Sequence, residues 1–468
     1  MPLNVTLDAR AARRLPWLVA AAFFMQTLDG TILNTSLPSM AKSLHEDPLR
    51  MQGVFISYLL TVALLIPASG WIADRFGSRR TFVGAIGLFT IGSLCCALSP
   101  NLELLIASRV IQGIGGAMML PVGRLVVLRA FPRQDFVRVM SFIALPGLIG
   151  PLLGPVLGGW IVQYASWHWI FLINIPIGII GAVAAFRDMP DLKSSEKRHF
   201  DVIGFVLIGI AMVSLTFVLD RVGEEHRAGA PIIILGLLAS ASLAIYWMRA
   251  HCVAEPLFSP KLLATRSFSI GILGNLFARL GSGAMPLLIP LLLQVGMGYS
   301  PSQAGMMLIP LALGAMAIKP LANPIIERWG YRTVLTINTL LLGLGLAGLG
   351  MFKPDGSLWV LLGYLAVLGL INSMQFTAMN TVTLVDLPDE DASAGNSLLS
   401  MVVQLSMSFG VAVGGALLGA FTAVESTPVA FSYTFVCVGL ACMLAAGMFL
   451  QLDAQSGKRV KAAPNPSA

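Results

Sequence analysis

Long apolar runs separated by short polar breaks dominate this chain. Marking them gives fourteen segments, near residues 15–37, 52–73, 81–98, 103–128, 138–162, 168–187, 201–220, 230–250, 268–294, 302–325, 332–352, 357–385, 397–421 and 430–452. About 20 residues at a rise of about 1.5 Å per residue cross a hydrocarbon core of about 30 Å. In lipid every backbone N–H and C=O must be satisfied within the protein, and uninterrupted apolar runs of this length do so as helices. The pattern therefore predicts an all-α polytopic membrane protein with 14 transmembrane helices.

The polar breaks are unequal in charge. With the N-terminus inside, 21 of the 30 Lys and Arg residues fall in or beside cytoplasmic segments and 5 in outside loops. That asymmetry predicts both termini in the cytoplasm. Only 11% of the 468 residues are charged and 56% are hydrophobic, which excludes an ordinary soluble domain. The formal net charge of +7 follows from the basic inner loops, so no nucleic-acid partner is needed. Five cysteines give no disulfide framework. Cys95, Cys96, Cys437 and Cys442 lie in apolar segments and Cys252 in a predicted loop. Arg10, Arg13 and Arg14 before the first run mimic a signal peptide. That run is too long and lacks a cleavage site, so it reads as a retained span.

An internal repeat organises the segments. GWIADRFGSRR, Gly70 to Arg80, follows span two, and NPIIERWGYR, Asn323 to Arg332, follows span ten. The even offset of eight helices makes the two halves parallel in orientation, as in rocking transporters. The expected organisation is a six-helix half at 1–187, an inserted two-helix linker region at 188–267 and a second six-helix half at 268–452. A disordered cytoplasmic tail would follow at 453–468.

Four sequence signatures carry a resemblance. The loop Gly70 to Arg80 joins LDGTILNTSLP at Leu28 to Pro38, RVIQGIGGAMMLP at Arg109 to Pro121 and GLIGPLLGPVLGG at Gly147 to Gly159. In that order, and with WHWIFLINIPIG after Trp167, the chain resembles the major facilitator superfamily, and within it the 14-helix drug:proton antiporter family. The resemblance covers the whole chain. It implies a major facilitator fold in a bacterial inner membrane, no enzymatic activity, and proton-coupled efflux of small molecules by alternating access, as in multidrug resistance. It also implies that Asp74, with Arg75, Gly77 and Arg79, forms a cytoplasmic gate, with Arg124 as the partner expected for Asp74. Gly150, Pro151, Gly154, Gly158 and Gly159 match the antiporter signature. His168 departs from the family, many of whose members carry Arg there.

The residues support part of this independently. Asp29 is the one acid of the 23 Asp and Glu that must sit deep in a span. A carboxylate there costs at least about 2.5 kcal/mol on insertion scales, which marks it as a functional candidate. Arg109 falls at a similar depth in span four, so an Asp29–Arg109 pair is expected to couple proton movement, oriented by Asn34 and Gln112. Arg279 lies near the middle of span nine with no acid at that depth. Together with Asn275 four residues earlier it suggests a substrate cavity for anionic or polar groups, to which Asn34 and Gln112 are also assigned. Gln375 and Asn380 add polarity to span twelve, as a pathway lining or as ordinary helix packing. Glycines at 147, 150, 154 and 158 let two helix backbones approach closely. No metal cluster, nucleotide loop or catalytic nucleophile is present. The expected partners are a small-molecule substrate, protons and the lipid bilayer, with no cofactor beyond the coupling proton. Export of an organic anion, such as a carboxylate metabolite or its metal complex, is the alternative that Arg279 favours. A non-transporting receptor or assembly partner fits the repeat and the proton site poorly.

Overall fold

The computed structural model describes residues 9–193, 199–221, 229–388 and 390–453. The expected tail beyond Asp453 and the middle of the 188–200 loop lie outside the described residues. All regular structure among the described residues is helical. Thirteen helices are long and apolar enough to cross a membrane, and a bent pair, Pro301–Ala317 and Lys319–Trp329, makes the fourteenth. The sequence count and the observed spans therefore agree: this is a multi-pass membrane protein.

Several spans are broken where the sequence pattern reads as continuous. Span ten bends by 48° at Ile318. Pro320, in the first turn of the following helix, has no N–H and its ring crowds the preceding turn. Span six is split into Trp169–Leu172 and Asn174–Asp188 at Ile173. Span nine runs Arg266–Ser282, continues as Met285–Leu291 and ends in a π-helical turn, Leu292–Gly296. Span one passes into a 3-10 turn, Leu33–Thr35, and a short helix, Leu37–Leu44.

The chain forms two compact units. The first comprises Met1–Phe200 with Leu293–Val295 and Tyr299–Leu308. Its core gathers Leu15, Val19, Met25, Tyr58, Phe82, Phe89 and Val122, all buried. Close helix approach is set by the glycine rows. On span five, Arg133–Tyr164, a Cβ at Gly147, Gly150, Gly154 or Gly158 would strike Phe23, Thr27, Thr31 and Thr35 of span one in turn. Thr31 Oγ1 donates to the Gly150 carbonyl at 3.1 Å and Thr35 Oγ1 to that of Pro155 at 2.9 Å. Gly159, the last of the row, abuts Pro301 instead.

The second unit comprises Asp201–Leu292, Gly296–Gly298 and Ile309–Ala468. Its core includes Ala278, Ile318, Leu335, Met374, Ala378 and Phe449. The inserted pair, Val202–Arg221 and Ala230–Cys252, belongs to this unit, and its first helix packs on span thirteen, Ala392–Thr422. Asp201 anchors the pair. It accepts from Gly204 N–H at 2.9 Å, Arg249 Nη2 at 3.1 Å and Leu257 N–H at 3.3 Å. Tyr246 Oη both donates to the Phe258 carbonyl and accepts from its N–H, each at 2.9 Å.

The repeated loops share one backbone geometry. Gly77 has φ 94° and Gly330 φ 79°, a region that L side chains rarely adopt. Each glycine N–H bonds back four residues, Gly77 to Ala73 and Gly330 to Ile326. Each carbonyl then accepts from the residue four ahead, Thr81 and Val334. Apolar residues at the ends of spans six and fourteen are buried in both units. Met189 and Leu192 are buried in the first core, Phe449 and Leu452 in the second.

Candidate functional site

Asp29 and Arg109 meet, and neither is exposed to solvent. Arg109 Nη1 donates to Asp29 Oδ2 at 2.7 Å, with both side chains at 1% exposure or less. Spans one and four bring them together because small residues on span four, Leu102–Ala130, face both its neighbours. A Cβ at Gly113 or Gly116 would strike Thr61 or Tyr58 of span two, and one at Gly115 would strike the Ala85 carbonyl of span three. The pair is buried, so protein groups must satisfy its polar atoms.

They do so almost completely. Gln112 Nε2 donates to Asp29 Oδ1 at 2.8 Å, and Asn174 Nδ2 donates to the same oxygen at 2.9 Å. Arg109 Nη1 also reaches Gln112 Oε1 at 2.5 Å, and Arg109 Nε donates to the Val54 carbonyl at 3.2 Å. The guanidinium carbon sits 4.3 Å from the centroid of the Tyr58 ring and 6.0 Å from that of Phe171. Ser93 Oγ accepts from Gln112 Nε2 at 2.8 Å and donates to the Phe89 carbonyl at 2.9 Å. Five spans thus contribute to one buried network around a single carboxylate.

Sequence reasoning foresaw Asp29, Arg109 and Gln112 but missed Asn174, Ser93 and Tyr58. The signal for Asn174 was its place in WHWIFLINIPIG, whose polar residue falls just after the break in span six. Gln112 belongs to this network and is fully buried, so it lines no open space. Asn34 lies in the 3-10 turn after span one, and its Oδ1 is buried without a partner.

At the loop after span two, Asp74 pairs with Arg129 at 2.7 Å. This corrects the expectation of Arg124, which is exposed and five residues earlier on the same helix. A step of five residues turns a helix by more than a full turn, and only Arg129 sits at the end of span four, level with the loop. Arg75 lies 5.7 Å over Trp71, which stacks on Phe200 at 5.0 Å. Arg79 Nε donates to the Met189 carbonyl at 2.5 Å, and Ser78 N–H donates to that of Leu192 at 3.1 Å. The segment 188–193 is thereby strapped across the loop. A Cβ at Gly77 would strike the Asp191 carboxylate, a second reason for glycine there.

The second unit holds a different arrangement. Arg279 is 5% exposed, and its Nε donates to Asn275 Oδ1 at 3.1 Å. Its Nη2 is buried without a partner, and among the described residues no carboxylate pairs with it. Asn275 in turn donates to the Gly271 carbonyl at 2.9 Å, which fixes its oxygen toward the arginine. Phe376 carries Arg279 over its ring at 4.6 Å and exposed Lys319 at 5.6 Å. Gln375 is drawn elsewhere: its Nε2 donates to Thr339 Oγ1 at 2.7 Å and its Oε1 accepts from Asn338 Nδ2 at 2.8 Å. That tie joins spans eleven and twelve and is 1% exposed at Gln375. Asn380, partly exposed, keeps a buried Oδ1 free.

Just before span six, His168 Nδ1 lies 2.6 Å from Ser166 Oγ and its ring stacks on Trp167 at 3.8 Å. Burial pushes the imidazole down from its ordinary value.

Comparison with known proteins agrees with this architecture. The Major Facilitator Superfamily model matches residues 19–244 and 271–467. A protein of Serratia proteamaculans, described as "Putative multidrug resistance protein MdtD", is 50% identical over 449 residues, covering 94% of this chain and 93% of that protein. One of Pectobacterium atrosepticum with the same description is 51% identical over 441 residues, covering 92% and 94%. Among solved structures, an auto-inhibited POT family peptide transporter gives a TM-score of 0.70 at 15% identity, covering 94% of this chain and 97% of that one. A D-xylose-proton symporter gives 0.68 at 14%, covering 95% and 99%. At these identities the solved structures establish the shared fold alone.

Proposed function

The chain belongs to the Major Facilitator Superfamily, and from that premise we propose that it is a proton-coupled exporter of small molecules working by alternating access. It is a transporter and not an enzyme. The observation that carries the coupling is the buried Asp29–Arg109 pair. Asp29 takes a proton delivered from the outer side, which cancels its attraction to Arg109. The arginine keeps the Val54 carbonyl and Gln112 Oε1 as partners, and the loosened pair lets the helices rearrange. Release of the proton to the cytoplasm restores the pair. The Asp74–Arg129 bridge latches the cytoplasmic end and must break in each cycle. Multidrug-type substrates are supported by the description of the relatives at about half identity. The chain would lie in the bacterial inner membrane with both termini cytoplasmic, needing no cofactor beyond protons.

A second reading, export of an organic anion, draws support from Arg279. A buried guanidinium with a free Nη2 and no carboxylate suits an anionic group better than a cation. One experiment tests both readings: uptake into everted vesicles under an imposed proton gradient, with cationic dyes and with di- and tricarboxylates. Asp29→Asn is expected to abolish gradient-driven uptake of whichever class is carried, and normal transport by that variant would end the coupling reading. Loss of carboxylate transport in Arg279→Gln, with dyes spared, would favour the anion. Equal loss of both would remove it.

A further inference from the structure

Asn174 offers Asp29 one half of an amide and holds the other half unused. Its Nδ2 donates to Asp29 Oδ1, while its own Oδ1 is buried and accepts nothing. The residue is fully buried beside the break at Ile173. Buried polar atoms are rarely left unpaired, so an orphan acceptor beside a titrating group calls for a reason.

The need it meets is visible in the network. A carboxylate wants donors, and Asp29 has three. A carboxylic acid wants an acceptor for its O–H, and the other two groups bonded to Asp29 have none to give. Arg109 carries donors only. Gln112 Oε1 is occupied by Arg109 Nη1. Ser93 Oγ accepts from Gln112, lies 3.4 Å from Asn174 Nδ2 and spends its proton on the Phe89 carbonyl. Among the groups bonded to Asp29 in the described structure, Asn174 Oδ1 alone remains; Gln26 Oε1 and Tyr58 Oη are also buried without a partner, but neither bonds Asp29. We propose that Asn174 is a positioning residue for the proton site, its amide turning over as Asp29 titrates. Nδ2–H serves the carboxylate, and Oδ1 accepts the O–H of the acid. The proton arrives on and leaves from Asp29, and Asn174 gains and loses none. The inference rests on the proton-carrying role proposed for Asp29.

Two variants of equal shape separate this role from packing. Threonine can donate and accept, valine can do neither. In everted vesicles, proton-driven ethidium transport in Asn174→Val should fall at least about tenfold, since a buried unpaired O–H is that costly. Asn174→Thr should stay within about threefold of wild type, with a displaced pH profile. Ethidium counterflow without a gradient, which needs rocking but no proton, should survive in both and reports folding. Equal driven transport by the two variants would overturn the proposal. Infrared difference spectra of the unmutated protein give a second measurement, needing no folded variant of doubtful packing. Acidification should bring up a protonated carboxyl band, absent in Asp29→Asn, together with a lowered side-chain amide C=O band. A carboxyl band without any amide change would equally overturn it. Normal gradient-driven transport by Asp29→Asn would instead remove the coupling reading itself, a separate outcome.

Discussion

The two compact units solve the burial of polar groups in opposite ways. In the first, a carboxylate and a guanidinium neutralise each other at 2.7 Å, and amides and a hydroxyl absorb most of what remains. In the second, a neutral amide tie joins Asn338, Gln375 and Thr339, while Arg279 stands apart with no carboxylate. Yet the scaffolds match: the Gly77 and Gly330 turns share their geometry, and the buried Met189 and Leu192 answer to Phe449 and Leu452. The turns and the buried helix ends are thus alike in the two units, while the deep chemistry differs. A paired charge inside a membrane is suited to change its protonation, because the proton replaces one electrostatic partner by another. A lone cation is suited to wait for a ligand.

The sharpest way to break this contrast is to remove each arginine in turn. Arg109→Met leaves the Asp29 carboxylate buried without its counter-charge, which should cost about 3–5 kcal/mol. Arg279→Met strands no counter-charge among the described residues, only the Asn275 Oδ1 acceptor, and its cost should stay at about 1–2 kcal/mol. Thermal unfolding of the detergent-purified protein measures both. Similar losses would mean that Arg279 has a hidden counter-charge. Gln375→Leu comes next: it removes one of two partners from Asn338 Nδ2, which keeps the Ile371 carbonyl, and from Thr339 Oγ1, which keeps that of Leu335, and should lower stability by about 1 kcal/mol without altering proton-driven transport. A transport defect larger than the stability defect would make the neutral tie a working part and weaken the division of labour between the units.

Most of the fold could be read from the chain because lipid imposes so strong a rule. Apolar length predicts spans, and basic loops predict sides, so all fourteen segments were legible. The breaks were not, since Ile173 and Ile318 are as apolar as their neighbours and only packing decides where a span yields. At the candidate site the same logic holds. Asp29 and Arg109 stood out because each is expensive in lipid, whereas Asn174 and Ser93 are cheap enough to pass for ordinary helix residues. Arg129 was missed for Asp74 because sequence depth places a Cα and not the end of a long side chain. Gln375 looked like a lining residue and is instead consumed by Asn338 and Thr339, an outcome that depends on which face of span twelve meets span eleven.

The second unit does hold a carboxylate paired to arginine, at its edge, and this gives the finest test of the contrast. Burial raises the Asp201 carboxyl, but the Gly204 N–H, the Arg249 side chain and the Leu257 N–H outweigh it and leave the group below its ordinary value. A depressed folded value means that the anion stabilises the fold. That contribution is complete above the unfolded value near about 3.9 and fades as pH falls through the lower folded one. Asp201→Asn keeps the helix-capping acceptor for Gly204 but loses the charge facing Arg249, so the cost should be about 1 kcal/mol at pH 7. The difference in unfolding temperature between the two proteins should hold steady down to about pH 5 and close below about pH 4. If it widens on acidification instead, Asp201 is not stabilised as an anion. The inserted helix pair would then be fastened by Tyr246 and packing alone, and the charge pairing of the first unit would have no counterpart in the second.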